Sequence, residues 1–152
     1  MDHDVNRRES VFNALYDTHY DAVRAYAWRR DPAFADDVVA ETFLVAWRRL
    51  DDIPADAALP WLLGVARNAL LNIRRSERRR REREKAQALG LAPHDLPPQV
   101  GPSDGAQGPL WQILQLLSSA DREVLLLVAW EGLDRAAIAR VLGCSRANVA
   151  LR

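Results

Sequence analysis

Apolar positions recur at helical spacing along most of the chain, and no stretch reads convincingly as a strand. From about Ser10 to Arg30, Phe12, Leu15, Tyr16, His19, Val23, Tyr26 and Ala27 share one helical face. Asp31-Pro32 reads as a second helix start, an N-cap followed by proline at the first helical position. That helix directs Val39, Phe43, Ala46, Trp47 and Leu50 inward and ends in Asp51-Asp52-Ile53-Pro54. A short loop, Pro54 to Pro60, leads into a third helix with Leu62, Val65, Ala66, Ala69 and Ile73 as its apolar stripe. The stripe passes without a break into a run of arginines. One rod therefore has one end suited to a core and the other suited to phosphates.

The pattern changes between Ala86 and Pro109, which hold five of the eight prolines and four of the seven glycines. Such a segment reads as a flexible linker and a domain boundary. Short helices follow. Leu110, Ile113, Leu114 and Leu117 mark one; Ser118-Ser119 begins another that Gly132 stops; Asp134 caps a third, with Ile138 and Leu142 facing in. Gly143-Cys144-Ser145 forms a turn, and Ser145 caps a last helix beginning at Arg146, with Val149 packed inward. Helix, short glycine-containing turn and capped helix is the helix-turn-helix pattern, whose second helix enters a major groove. Arg146, Asn148 and Arg152 are its exposed candidates. At about seven residues this helix is short against the ~11–12 of an average one, so the C-terminal unit is expected to be truncated.

Composition narrows the function classes. A hydrophobic content of 49% suffices for packed cores and argues against a disordered chain. The 21 basic and 21 acidic residues cancel, so net charge alone says nothing about partners. Their distribution does: Arg74 to Lys85 holds eight basic groups against three glutamates, a local net of +5. All but Lys85 are arginine, which favours bidentate phosphate contacts. Arg67, Asn68 and Asn72 project beside the stripe, and asparagine is poor in a helix interior unless its amide is used. The single Cys144 excludes an internal disulfide framework. No apolar run approaches the ~20 residues of a membrane span. MDHDVNRRES lacks the apolar region of a signal peptide, so a cytoplasmic location is expected.

Three segments in order, ADDVVAETFLVAWRRL, PWLLGVARNALLNIRR and LSSADREVLLLVAWEGLDRAAIARVLGCSRANVALR, resemble bacterial sigma factors of the extracytoplasmic-function group. The resemblance covers about Ser10 to Arg152. It implies an all-α chain of two small helical domains. Residues 1–85 would be region two, binding core polymerase and the minus-ten element; 86–109 a flexible linker; 110–152 the region-four helix-turn-helix. It implies a transcription initiation factor that binds core RNA polymerase and directs promoter recognition and melting. By matching position, Asp37, Glu41, Leu44 and Trp47 would dock on the clamp helices of the largest polymerase subunit. The glutamine that commonly precedes this glutamate is Ala40 here, which removes one polar contact. The loop from Asp56 to Trp61 matches the segment that captures a flipped base. Asn68 and Asn72 match asparagines that contact the minus-ten element, and Arg67, Arg74 and Arg75 would hold its backbone. The C-terminal pair matches the reader of the minus-thirty-five element, the flap of the second-largest subunit being a further partner. An anti-sigma factor holding the two domains shut is common in the family.

Other readings carry less. Asn68 and Asn72 out of this context would be solvated surface residues. The run from Arg78 to Arg83 reads as a solvated helix end with general phosphate attraction. Trp47 divides between core and interface, with the core favoured; Trp28, Trp111 and Trp130 read as packing. His3, His19 and His94 are far apart, so neither a metal nor a cofactor is expected. No phosphate loop, triad or spaced ligand set points to an enzyme. Asp36, Asp37 and Glu41 could suggest a metal-dependent nuclease, but an acidic docking face fits better. A helix-turn-helix regulator that is not a sigma factor, with the N-terminal helices as an interaction module, is the alternative. PWLLGVARNALLNIRR discriminates, because such a regulator has no reason to carry it.

Overall fold

The structure, a computed structural model, describes residues 2–90 and 109–151. Seven α-helices and two 3₁₀ turns make up its regular structure, and no strand occurs among the described residues. Helix α1 spans Asp2–Arg30, well upstream of the Ser10 start that the apolar pattern suggests. Pro32–Phe34 forms a 3₁₀ turn before α2, Ala35–Arg48. Asp31 makes no cap hydrogen bond. Its carboxylate instead accepts from Arg74 Nε at 2.9 Å, while Arg74 Nη2 donates to the Arg30 carbonyl at 2.7 Å. A charged partner 43 residues along the chain has won over the local cap and ties the helix that carries it to the α1–α2 corner.

Helix α3 spans Ala58–Leu89 and ends at Gly90, whose left-handed backbone (φ 66°) is open to glycine without a Cβ penalty. Pro60 falls in its first turn, where no intrahelical N–H is required. The buried residues of α3 are Leu62, Leu63, Ala66, Ala69, Leu70 and Ala86, with Val65 and Ile73 only half-buried. The inward face is therefore rotated from the stripe read off the sequence. The cause is tertiary: α3 packs against α1, α2 and also α6, so it needs a wider apolar face than a helix with one neighbour. Trp28, 56% exposed, does not pack as expected, because the buried face of α1 is set by Val23, Tyr26, Ala27 and Arg30. Trp130 is also exposed, with the Arg29 guanidinium 5.9 Å from its ring.

The C-terminal helices follow their local signals closely. Helix α4 is Pro109–Gln115, α5 Ser119–Ala129, α6 Arg135–Leu142 and α7 Arg146–Ala150. Ser118, Asp134 and Ser145 each accept a backbone N–H at N3, from Asp121 (3.1 Å), Ala137 (2.8 Å) and Asn148 (3.2 Å). Gly143 takes φ 63°, which lets the Cys144 N–H return to the Ala139 carbonyl at 3.0 Å and turns the chain into α7. Arg122 Nε donates to the Leu114 carbonyl at 2.8 Å, closing the end of α4 onto α5.

One apolar core spans both halves of the chain. Val23, Tyr26, Val38, Phe43, Leu62 and Leu63 belong to the same buried cluster as Leu127, Ile138, Val141 and Val149. Two units joined by a linker could stand apart; here α5 to α7 sit against α1 and α3.

Two substitutions should separate core from cap. Leu62 is fully buried, so Leu62→Ala should cost about 2–5 kcal/mol. Asp134→Ala loses one cap hydrogen bond and should cost about 1 kcal/mol. Urea unfolding followed by helical circular dichroism reads both, and a larger loss for Asp134→Ala would contradict the assignment of the core.

Candidate nucleic-acid interface

Helices α2 and α3 pack side by side and leave an open groove of about 700 Å³ between their outer edges. Asp37, Ala40, Glu41, Leu44, Val45 and Arg49 form the α2 wall; Val65, Asn68, Ala69, Asn72, Ile73 and Ser76 form the α3 wall. Asn68 and Asn72 are exposed and four residues apart, so both amides lie on one helical face, one turn from each other. Opposite them stand the exposed Glu41 and Leu44. Val65, Val45 and Ile73 give the groove a half-buried apolar floor, and Asp37 and Glu41 make one wall acidic.

Trp47 lies elsewhere. It packs edge-to-face on Phe12 at 5.2 Å, with the Arg8 guanidinium 5.8 Å from its ring, on the α1 side of α2. Arg8 also donates to the Trp47 carbonyl at 3.2 Å and pairs with Asp51 at 2.7 Å. Phe12, Tyr16, Tyr20 and Phe43 continue this aromatic array. Asp56 is exposed in the turn that precedes α3. Trp61 is half-buried, and Arg49, itself paired with Asp52, lies 5.8 Å from its ring.

The basic residues of α3 separate into distinct roles. Arg74 is committed to Asp31 and to the Arg30 carbonyl. Arg67 is half-buried and its charge acts on Tyr26. Arg75 is exposed. Beyond it, Arg78 pairs with Glu82, Arg80 with Glu77 and Glu84, and Arg81 with Glu77, so three glutamates draw on the charge of the run. At the other end of the chain, Arg146, Ala147 and Ala150 of α7 face Asp134, Arg135 and Ala136 across a shallow recess. Arg146 and Asn148 are exposed there. Arg152 lies outside the described residues.

A group of residues that the sequence did not single out joins the two halves. Arg30 lies between Glu123 (3.0 Å) and Glu131 (3.2 Å), Arg29 pairs with Glu131 at 2.7 Å, and the Tyr26 hydroxyl donates to Glu123 at 3.1 Å. Burial, above all, pushes the Tyr26 phenol far above its ordinary value, so it remains a donor. Burial also lowers His19, which favours its neutral form. No group of three or more histidine, cysteine or carboxylate side chains that could hold a metal ion occurs among the described residues. No helix among them is long and apolar enough to cross a membrane.

Comparison with known proteins places these features in a family. Residues 15–80 match the model of sigma-70 region 2, and residues 107–152 match that of sigma-70 region 4. The chain is 33% identical over 153 residues to the ECF RNA polymerase sigma factor SigL of Mycobacterium tuberculosis, covering 94% of this chain and 82% of the relative. It is 34% identical over 133 residues to a probable RNA polymerase sigma factor, RfaY, of Xanthomonas campestris, but spans only 33% of that protein's length. Among solved structures, CnrH in complex with the cytosolic domain of CnrY aligns with a TM-score of 0.56 and 28% identity, over 91% of this chain and 77% of that one. The sigma factor RpoE of Bartonella quintana, in complex with the anti-sigma factor NepR, shares the fold, with a TM-score of 0.54 and 22% identity over 99% of this chain and 89% of that one. With both regions matched in order, and SigL similar along nearly the whole chain, this protein belongs to the extracytoplasmic-function group of the sigma-70 family, the initiation factors of bacterial transcription.

Proposed function

We propose that the α2–α3 groove is where this factor meets both of its macromolecular partners. Asp37, Glu41 and Leu44 dock on the clamp helices of core RNA polymerase, and Asn68 and Asn72 contact the minus-ten element of the promoter. The observation that carries this reading is the groove itself, which brings an acidic wall and two exposed amides onto opposite sides of one trough. An exposed asparagine can serve a base edge or a phosphate through its amide. Stacking in a side pocket is worth ~1–3 kcal/mol per base, enough to help hold a base extruded on melting. Asp56, in the turn ahead of α3, and Trp61, in the first turn of α3, are the candidates for that pocket, with Arg49 on the Trp61 ring as the group that a base would displace.

Arg75 and Arg67 remain candidates for the DNA backbone, whereas Arg74 is better placed as a brace for α3. In α7, Arg146 and Asn148 are exposed for major-groove readout of the minus-thirty-five element. Arg152, read as a third contact there, lies outside the described residues. Ile113 of α4, Leu116 in the turn after it, and Leu125 and Val128 of α5 leave exposed apolar side chains, which supports docking of this unit on the polymerase flap. Trp47 serves the bundle, not the dock. The CnrH complex with a partner's cytosolic domain supports a protein inhibitor of anti-sigma type as a third partner. The division into residues 1–85, 86–109 and 110–152 fits these roles, although α3 itself runs on to Leu89. Nothing in this mechanism asks the chain for bond-making chemistry, so we read it as a non-enzymatic factor acting in the cytoplasm beside polymerase.

A second reading comes from the same groove. Because Asn68 and Asn72 face Glu41 and Leu44, they could touch polymerase instead of DNA. Run-off transcription with core polymerase, with this chain as the only sigma factor, on a promoter library tests the function as a whole; absence of product would overturn it. Asn68→Ala with Asn72→Ala should abolish open-complex formation while core binding stays within about twofold. A fall in core affinity would favour the second reading. Glu41→Lys reverses a charge in the dock and should weaken core binding by about tenfold, some 1.4 kcal/mol; unchanged affinity in a titration would remove Glu41 from it. Arg74→Ala should lower the melting temperature by several degrees, since it frees a buried Asp31 carboxylate. If it instead changed only DNA affinity, the bracing role would be wrong.

A further inference from the structure

We infer that Arg135 grips a backbone phosphate of duplex DNA at the edge of the major groove and so sets the depth and direction at which α7 enters it. The inference rests on the reading of α7 as the minus-thirty-five reader, and adds to it a residue that reads no base.

The need for such a grip follows from the size of the reader. Helix α7 spans Arg146–Ala150, about 7.5 Å of axis at 1.5 Å per residue. It brings two exposed polar side chains to base edges, Arg146 and Asn148. Two contacts from little more than one turn leave the tilt of the helix on the duplex undetermined. Phosphate contacts fix register and orientation in protein–DNA complexes, while base contacts carry the sequence information. In a helix-turn-helix the first helix crosses the backbone as the second lies in the groove. Here the first helix is α6, and Arg135 is its first residue.

The surroundings of Arg135 suit a phosphate. It stands on the rim of the open recess of about 470 Å³ between the start of α6 and α7, with Arg146 on the opposite rim. Arg135, Arg146, Ala147 and Ala150 are all exposed, while Val149 of α7 is buried. Ala136, Ala147 and Ala150 carry nothing longer than a methyl group, so a sugar–phosphate strand can lie between the two arginines. Neither guanidinium has an ion pair or a hydrogen bond among the described residues. Arginines in the N-terminal half are committed: Arg8, Arg30, Arg49, Arg74 and Arg80 each pair with a carboxylate. The recess has a carboxylate of its own, Asp134, but that group is spent on the α6 cap, where it accepts the Ala137 N–H at 2.8 Å. Two like charges over one recess, with no internal anion on either, favour an external anion. The planar guanidinium can meet a phosphate with two parallel N–H donors.

The test uses holoenzyme reconstituted from core polymerase and the full chain. Its probes are promoter duplexes randomised over the minus-thirty-five element, and the same promoters cut just downstream of that element. Arg135→Ala should weaken binding about tenfold on every member of the library and leave their order of preference unchanged. The slope of log affinity against log salt should flatten by about 0.9, the loss of one phosphate contact. Arg135→Lys should recover most of the affinity, since a phosphate accepts a point charge. On the shortened duplexes parent and Arg135→Ala should bind alike. Their melting temperatures should agree, because Arg135 is exposed and has no partner to lose. Undiminished binding, a reordered library, an unaltered salt slope or a lower melting temperature for Arg135→Ala would overturn the grip. So would Arg135→Lys binding no better than Arg135→Ala, or Arg135→Ala binding the shortened duplexes more weakly than the parent. A parent that lost nothing on the shortened duplexes would overturn the minus-thirty-five role of α7, and the grip with it.

Discussion

The described structure depends on one constraint: α3 has to satisfy three neighbours at once. Leu62, Leu63, Ala66, Ala69 and Leu70 serve the bundle, Asn68 and Asn72 line the groove with α2, and Gly64 admits α6 to its backbone. A helix of ordinary amphipathic design has one apolar stripe and one wet face. Here the wet face is narrowed to the strip along the groove. That strip is where polar residues can be spent on recognition without leaving an amide buried and unpartnered. The position of Asn68 and Asn72 is thus a by-product of how little of α3 the core leaves free.

Charge on the same helix is sorted by similar logic. A run with eight basic groups looks like a phosphate magnet when read as a line of letters. In three dimensions Arg74 braces the α1–α2 corner, and Arg78, Arg80 and Arg81 share Glu77, Glu82 and Glu84. Exposed pairs of this kind contribute little stability, but they reduce the field the helix presents to DNA. Under the proposed function, specificity is therefore assigned to the neutral amides and the loop ahead of Trp61.

Legibility from sequence followed the range of the interactions. Ser118, Asp134, Ser145 and Gly143 were readable because a cap or a left-handed turn is settled within four residues. The existence of each helix was readable for the same reason, and the α2–α3 groove could be approached through spacing on each wall taken separately. Asp31 reads locally as a cap, but its true partner, Arg74, is 43 residues away. The α3 stripe was placed on Val65 and Ile73 instead of Leu63 and Leu70 because no local pattern announces a helix from the other half of the chain. Arg29 and Arg30 resembled an ordinary basic helix end, favourable to the macrodipole, and Glu123 an ordinary polar break in an apolar helix. Their alliance has no signal in spacing.

Helix α3 does not stop where its packing residues thin out. From Ile73 to Leu89 it carries the backbone about 24 Å, at 1.5 Å per residue, before Gly90 turns it. The rod is thereby a spoke, and its tip fixes the point and the bearing from which the polypeptide sets out toward Pro109. Each residue added or removed in that stretch rotates the bearing by about 100°, while seven return it to within about 20°. Natural length variation in the spoke should be phased: changes of a whole number of turns keep the departure direction, and other lengths turn it away.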